Sequence, residues 1–360
     1  MSRLTKLTRR CARREAGLSL IELMISIGLG LLILAAVITV FVNASAARNE
    51  VERTSRQIEN GRYAVELLSD DLRVAGFYGE MGVTTLPAVG VLVDPEHDPC
   101  SINAAHWSKA MNFHVRGFDN GAGVPACVPA SLKAGTDVVV VRRVKTCPAG
   151  VAGCEAVVAD KPYLQVSLCD TEMAANPFVV AMGSGAFPLR LRDCATIAAR
   201  RQYLVRIYFI STDNGAGLPI PTLKRLELEI DPSDNVLKMV TVPLVEGIEQ
   251  FNVEYGIDTD GDGSVDAYTT NPTVFTGNPA GSCGACTPEN NWRNVITAQF
   301  HILARNLDTS PGFSDGKTYS LGRDAAFNPV TVGPFNDGFR RHIYTGLVRI
   351  VNAAGRRDTP

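Results

Sequence analysis

Hydrophobic positions along the chain first form one long unbroken run near the N-terminus. The run extends from Leu18 to Val42 and contains a single charged residue, Glu22. As a helix with a rise of about 1.5 Å per residue, it is long enough to cross a hydrocarbon core of about 30 Å. The pattern therefore predicts one membrane-spanning helix, residues 18–42.

Beyond this run, apolar residues recur at helical spacing among charged ones over residues 43–75, at Val51, Ile58, Val65, Leu68 and Leu72. No proline interrupts the segment, and Gly76 is a typical stop signal. The spacing predicts that the helix continues to residue 75 with one face packed on a globular head.

After Gly76 the helical spacing gives way to short alternating or β-branched runs separated by turn residues. Eight strands are predicted, at Asp137–Val144, Tyr163–Leu168, Tyr203–Ile210, Leu223–Ile230, Val236–Val242, Ile248–Tyr255, Val295–Ala304 and His342–Val351. The predicted class is α+β, with an antiparallel sheet packed on the first helix in a head over residues 76–360. Residues 77–135 and 270–292 are expected to be long loops.

Charge is concentrated at the start of the chain. The whole chain carries −2, but residues 1–17 hold six basic residues against Glu15, a charge of +5 that leaves −7 on the remainder. By the positive-inside rule, the basic segment keeps the N-terminus cytoplasmic and places the head in the periplasm. An acidic remainder without a basic stripe argues against nucleic acid as a partner.

Cysteine usage fits an exported head. Eight of the nine cysteines follow the basic segment, and an even number in loop-like surroundings indicates disulfides in an oxidising compartment. Sequence alone does not choose among the possible pairings. Short loops favour Cys147 with Cys154 and Cys283 with Cys286, leaving Cys100 with Cys127 and Cys169 with Cys194. The competing interpretation of Cys283-Gly-Ala-Cys286, a zinc or redox site, lacks a second ligand pair.

Residues 15–22, Glu-Ala-Gly-Leu-Ser-Leu-Ile-Glu, resemble the class III signal of type IV pilins and type II secretion pseudopilins. The usual form is Gly followed by Phe-Thr-Leu-Ile-Glu, and the matching positions are Gly17, Leu20, Ile21 and Glu22. The resemblance implies a pilin-like α/β roll. It also implies that a prepilin peptidase and N-methyltransferase removes residues 1–17 as a leader and methylates the new N-terminus at Leu18.

Glu22 is expected to act in assembly. A carboxylate one turn into a bilayer costs several kcal/mol unless it is protonated or paired, so an intramembrane acid is by default functional. Pilins pair this glutamate with the freed amine of a neighbouring subunit. Here that amine would be the one on Leu18.

Chain length, the absence of proline from Leu18 to Ala75 and the stretch Leu68–Phe77 resemble PilW-like minor pilins of type IV pili. The resemblance implies a non-enzymatic subunit that primes pilus assembly in the inner membrane and is incorporated near the pilus tip. Its implied partners are other minor pilins, the major pilin and a tip adhesin. The resemblance also implies that the chain supports twitching motility and adhesion.

An acidic loop in the head resembles the first half of an EF-hand calcium loop. Oxygen donors stand at loop positions one, three, five, seven and nine, and a glycine stands at six: Asp258, Asp260, Asp262, Gly263, Ser264 and Asp266. Position twelve is Thr269, so the usual bidentate glutamate is missing. The pattern predicts a possible cofactor, Ca²⁺, and the alternative interpretation is an acidic hairpin turn.

Two other functions stay open from the sequence. A J-type minor pseudopilin of a type II secretion system has the same signal, although such heads are smaller. A calcium-dependent adhesive module displayed on the pilus would use the head itself for binding. Catalysis is not predicted, because the five histidines are scattered and no nucleophile or phosphate-binding motif is present.

Overall fold

The computed structural model describes residues 17, 19–82, 86, 97–277, 280–324 and 326–355. The chain forms two compact units, Met1–Glu52 and Arg53–Pro360. Within the described residues the helices are α1 Leu20–Arg73, α2 Ala104–Ala110, α3 Asp170–Met173, α4 Pro288–Arg293 and α5 Val351–Ala354. The strands are β1 Val115–Phe118, β2 Val138–Val144, β3 Pro162–Val166, β4 Phe178–Met182, β5 Arg200–Ser211, β6 Thr222–Ile230, β7 Leu237–Glu246, β8 Ile248–Ile257, β9 Ala267–Thr269, β10 Val295–Arg305, β11 Tyr319–Arg323, β12 Pro329–Val332 and β13 Arg341–Arg349.

Helix α1 is one continuous element, as predicted from the absence of proline. Its residues from Arg53 onward belong to the same compact unit as the strands. The residues it buries repeat at helical spacing: Gln57, Gly61, Ala64, Leu68, Asp71 and Leu72. Ile58, expected on the buried face, is 45% exposed instead. The helix stops where Gly76 adopts a positive φ of 70°, a conformation that favours glycine.

The described residues of the head form three antiparallel sheets rather than the single sheet predicted. In the largest, β5 joins β2 and β1 on one side and both β3–β4 and β6–β7 on the other. A second sheet has the order β13-β10-β8-β9, and β11 pairs with β12. The eight predicted strands are present, and the predicted α+β class is confirmed. The supposed loops also hold α2, β1 and α4.

Two cores lie on the two faces of the large sheet. The valines of β2 show the division, because Val139 and Val141 pack with the α1 residues Leu68 and Leu72, whereas Val138 and Val140 pack in the opposite core with Trp107. The α1-side core also receives β8 and β10. A Cβ at residue 61 would overlap the Tyr344 ring, so glycine there permits the close approach of α1 to β13.

A buried carboxylate joins the two larger sheets. Asp137, immediately before β2, accepts the amide of Val253 in β8 at 2.7 Å and the amide of Asn120 at 2.8 Å. Burial raises the pKa of Asp137 to about 7, although both amides lower it. The carboxylate satisfies two backbone donors that would otherwise be buried without partners.

Four disulfides close loops of the head. They join Cys100 to Cys127, Cys147 to Cys154, Cys169 to Cys194 and Cys283 to Cys286, with Cα–Cα distances of 5.0–5.7 Å. Short loops favour two of these pairs, Cys147 with Cys154 and Cys283 with Cys286, and the other two are the pairs expected to follow from them. Three of the four close loops between or beside strands of the large sheet, where extended connections have little core of their own.

Candidate functional site

The first candidate site is the start of α1. Gly17 is exposed, and Leu18, like residues 1–16, lies outside the described residues. The Ser19 amide donates to the Glu22 carboxylate at 3.5 Å. A carboxylate in the first turn also interacts favourably with the positive end of the helix dipole. Glu22 is thus held in the first turn of the helix, five residues after Gly17, where cleavage is predicted.

The helix that follows Glu22 has an apolar surface on all sides. The segment is long and apolar enough to cross a membrane, with a mean hydropathy of 2.8 over its best 18-residue window. Its hydroxyl groups are satisfied internally, because Ser26 donates to the Glu22 carbonyl and Thr39 to the Ala35 carbonyl, both at 2.7 Å. Glu22 is the one ionisable group between Leu20 and Val42. The segment is compatible with membrane anchoring, because its other polar groups already have partners within the helix.

The second candidate site is the acidic loop between β8 and β9. Carboxylate oxygens of Asp258, Asp260 and Asp262 lie within 4.8 Å of one another. Asp258 is buried and accepts the amides of Gly261 at 2.6 Å and Gly263 at 3.0 Å. Both glycines have positive φ, so the loop curls its amides toward the first aspartate. Three carboxylates at this separation form an oxygen-rich group of the kind that Ca²⁺ selects.

The other two predicted ligands are placed differently. Asp266 is not part of the three-carboxylate group, since one of its oxygens accepts both the amide and the hydroxyl of Thr259 at 2.7 and 2.6 Å. Those hydrogen bonds lower the pKa of Asp266. The Ser264 amide donates to Asp262 at 2.7 Å. Thr269, at position twelve of the motif, is buried in β9. The predicted role of Asp266 as a ligand therefore stays a prediction, since the three grouped carboxylates do not include it.

Sequence reasoning missed a buried charge cluster that fixes α1 to the large sheet. Asp71 is only 4% exposed and accepts from Arg143 in β2 at 2.7 Å and from Arg206 in β5 at 2.9 Å. Its second oxygen accepts the Tyr208 hydroxyl at 2.8 Å. Burial opposes ionisation, but the two arginines outweigh it, and the pKa of Asp71 is lowered. The sequence feature that indicates a buried Asp71 is its spacing, because it is three residues after Leu68 and therefore on the same buried face of α1.

Part of the chain is similar to a known protein family. A family model described as Type IV Pilus-assembly protein W matches residues 207–352, about two fifths of the chain, a range that includes every strand from β6 to β13. The resemblance to PilW-like proteins that the sequence indicates is confirmed over these residues. No curated protein matches the chain.

One similar solved structure is a type IV-like pilin from Thermus thermophilus. The two chains are 16% identical, and the match covers 63% of this chain and 81% of that one with a TM-score of 0.24.

Proposed function

We propose that this chain is a minor pilin that primes type IV pilus assembly at the inner membrane and is incorporated at or near the tip. One observation carries the proposal: a helix apolar on all sides, with a lone carboxylate in its first turn, continues into the helix of a disulfide-bonded β-rich head. The family match in that head supports the same assignment. Twitching motility and adhesion would then depend on the chain through the filament.

The test is deletion of the chain from its host, with complementation by the full chain. We expect loss of surface pili and twitching, and recovery of both on complementation. Mass spectrometry of the membrane protein should find the mature, methylated N-terminus at Leu18. Normal pili with failed release of secreted proteins would assign the chain to a type II secretion pseudopilus instead, and a mature N-terminus elsewhere would contradict processing after Gly17.

We further propose that the acidic loop binds Ca²⁺, with Asp258, Asp260 and Asp262 as ligands. The observation that favours it is the grouping of the three carboxylates, which repel one another unless a cation offsets their charge. Other protein oxygens or water would complete the six to eight ligands that Ca²⁺ takes. In this second function the head is a calcium-stabilised binding module that the pilus displays.

Calcium is expected to stabilise the full chain in detergent. At a calcium concentration ten times the dissociation constant the gain is about 1.4 kcal/mol, which corresponds to a rise in Tm of about 2 °C for a unit of about 300 residues. Asp260→Asn should abolish the rise. Asp234→Asn, which removes a carboxylate from another exposed turn, should preserve it. An unchanged Tm in millimolar Ca²⁺, or an equal response from Asp260→Asn, would count against the site.

A further inference from the structure

Strand β13 forms an edge of the second sheet. Its sheet partner is β10 on one side, and the register runs without a shift from Thr297 opposite Arg349 to Arg305 opposite Arg341. Natural sheets usually guard such an edge with proline, inward charge or a covering segment. The edge strand β7 of the large sheet carries Pro243, whereas β13 contains no proline.

The register shows which backbone groups of β13 point away from β10. The Ile350 amide donates to the Ile296 carbonyl and the Asn306 amide to the Arg340 carbonyl, so even-numbered residues of this segment bond with β10. In an antiparallel ladder the alternate residues then direct their amides and carbonyls outward. Within the described residues, the outward amides and carbonyls of Ile343, Thr345 and Leu347 have no backbone hydrogen-bond partner.

A groove runs beside this edge, between β13 and the head portion of α1. Its volume is about 360 Å³, and its lining is mostly apolar or aromatic with a basic rim. Ile58 and Tyr344 line its two walls, and Arg340 stacks on the Phe313 ring at 4.2 Å from the ring centre. Lys317 and His342, both exposed, complete the rim. A strand added along β13 would direct alternate side chains toward this groove.

The charge of the residues beside β13 indicates which kind of segment would bind along this edge. Residues 338–355 include three arginines and no acidic residue, in a chain that is otherwise acidic. Arg341 is buried, and its charge is offset by Glu249, Asp315 and Asp337. The basic groups beside the edge are therefore Arg349 and, on the rim of the groove, Arg340 and Lys317. An extended segment with acidic side chains would complement them.

We propose that β13 is a docking edge, to which an acidic extended segment of another pilus subunit adds as a fifth strand. Backbone hydrogen bonds to Thr345 and its outward neighbours would supply the pairing, and the groove would take an apolar side chain of the added strand. That the partner is a pilus subunit rests on the proposed function. The edge, its unpaired groups and its charge come from the head alone.

The test removes one outward amide and leaves the β10 ladder intact. Thr345→Pro deletes an amide that faces away from β10, where proline is tolerated at an edge. Thr345→Val is the matched control, because it removes the same hydroxyl contact to His301 but keeps the amide. In a deletion strain, we expect Thr345→Val to restore surface pili fully and Thr345→Pro to restore less than a tenth, at equal amounts of oxidised, processed protein.

The outcomes separate this inference from the proposed function. A deletion strain with normal pili would remove the proposed function, whereas a bald strain rescued equally by both variants would overturn only the docking edge. Hydrogen exchange on the unaltered full chain is independent of variant folding. The amides of Thr345 and Leu347 should exchange at least tenfold more slowly in isolated pili than in detergent-purified chain, and equal rates would overturn the edge.

A charge-reversal pair tests the acidic character of the added segment. Lys317→Glu, on the rim of the groove, should reduce restored piliation at least threefold. Arg192→Glu, an exposed arginine of the loop between β4 and β5, should leave it unchanged. Equal effects of the two reversals would overturn the acidic partner.

Discussion

Asp71→Ala is expected to lower the free energy of unfolding of the head by about 3–5 kcal/mol, the range found when one partner of a buried ion pair is removed. The substitution leaves the partly buried Arg143 and Arg206 without the carboxylate that both contact, although Glu227 stays paired with Arg206. It also leaves the Tyr208 hydroxyl without its acceptor. Denaturant unfolding of the full chain in detergent, followed by tryptophan fluorescence, measures the loss.

Asp70→Ala is the matched control, because the neighbouring aspartate has a side chain 69% exposed and approaches Arg73 only to 3.8 Å. Its removal should change stability by no more than about 0.5 kcal/mol. Acid provides a second readout. Since the pKa of Asp71 is lowered in the fold, its contribution is complete above about pH 4 and is lost as the pH falls further. Equal losses from Asp70→Ala and Asp71→Ala would contradict the role of the cluster.

The long, strongly patterned elements could be predicted from sequence. Helix α1 has one hydrophobic period along its head portion and no proline, so little competes with the helical prediction. Strand β2 is a run of four valines followed by two arginines, and burial on both faces requires such a run. In each case local preference and tertiary burial favour the same structure.

The short strands could not be predicted in the same way. Strand β1 is Val-Arg-Gly-Phe, and β9 is Ala-Tyr-Thr, three or four residues without a period that can be measured. Each exists because a neighbouring strand, β2 or β8, supplies a ladder of backbone partners. The division of the head into several sheets is likewise a property of pairing between distant segments, which no local pattern records.

The acidic loop shows where motif spacing stops being sufficient. Spacing predicted that Asp258, Asp260 and Asp262 lie together, because a tight turn with glycine forces near neighbours to one centre. Asp266 has the spacing of the motif, but its carboxylate accepts hydrogen bonds from the amide and the hydroxyl of Thr259 instead of joining the other three. The contacts of Asp71 could not be predicted for a different reason, since its partners Arg143 and Arg206 are 72 and 135 residues away in the chain.

Glu22→Leu is expected to abolish pilus assembly while leaving insertion into the membrane intact. The substitution removes the one ionisable group from the apolar segment, so the helix should partition into a bilayer at least as well as before. If the carboxylate pairs with the amine of a neighbouring subunit, its loss deletes the contact that sets subunit register. Surface pili counted in a complemented deletion strain should fall at least tenfold, with unchanged amounts of membrane-bound protein.

Ser26→Leu distinguishes loss of the carboxylate from a general change in helix polarity. Ser26 is one turn further along the helix, and its hydroxyl is already satisfied by the Glu22 carbonyl, so it offers a neighbouring subunit no unpaired group. It should therefore support normal piliation. If Glu22→Leu restores pili as fully as Ser26→Leu, the carboxylate is not an assembly contact, and the apolar helix serves only as an anchor. If both variants fail, close packing along this helix, rather than charge pairing, limits assembly.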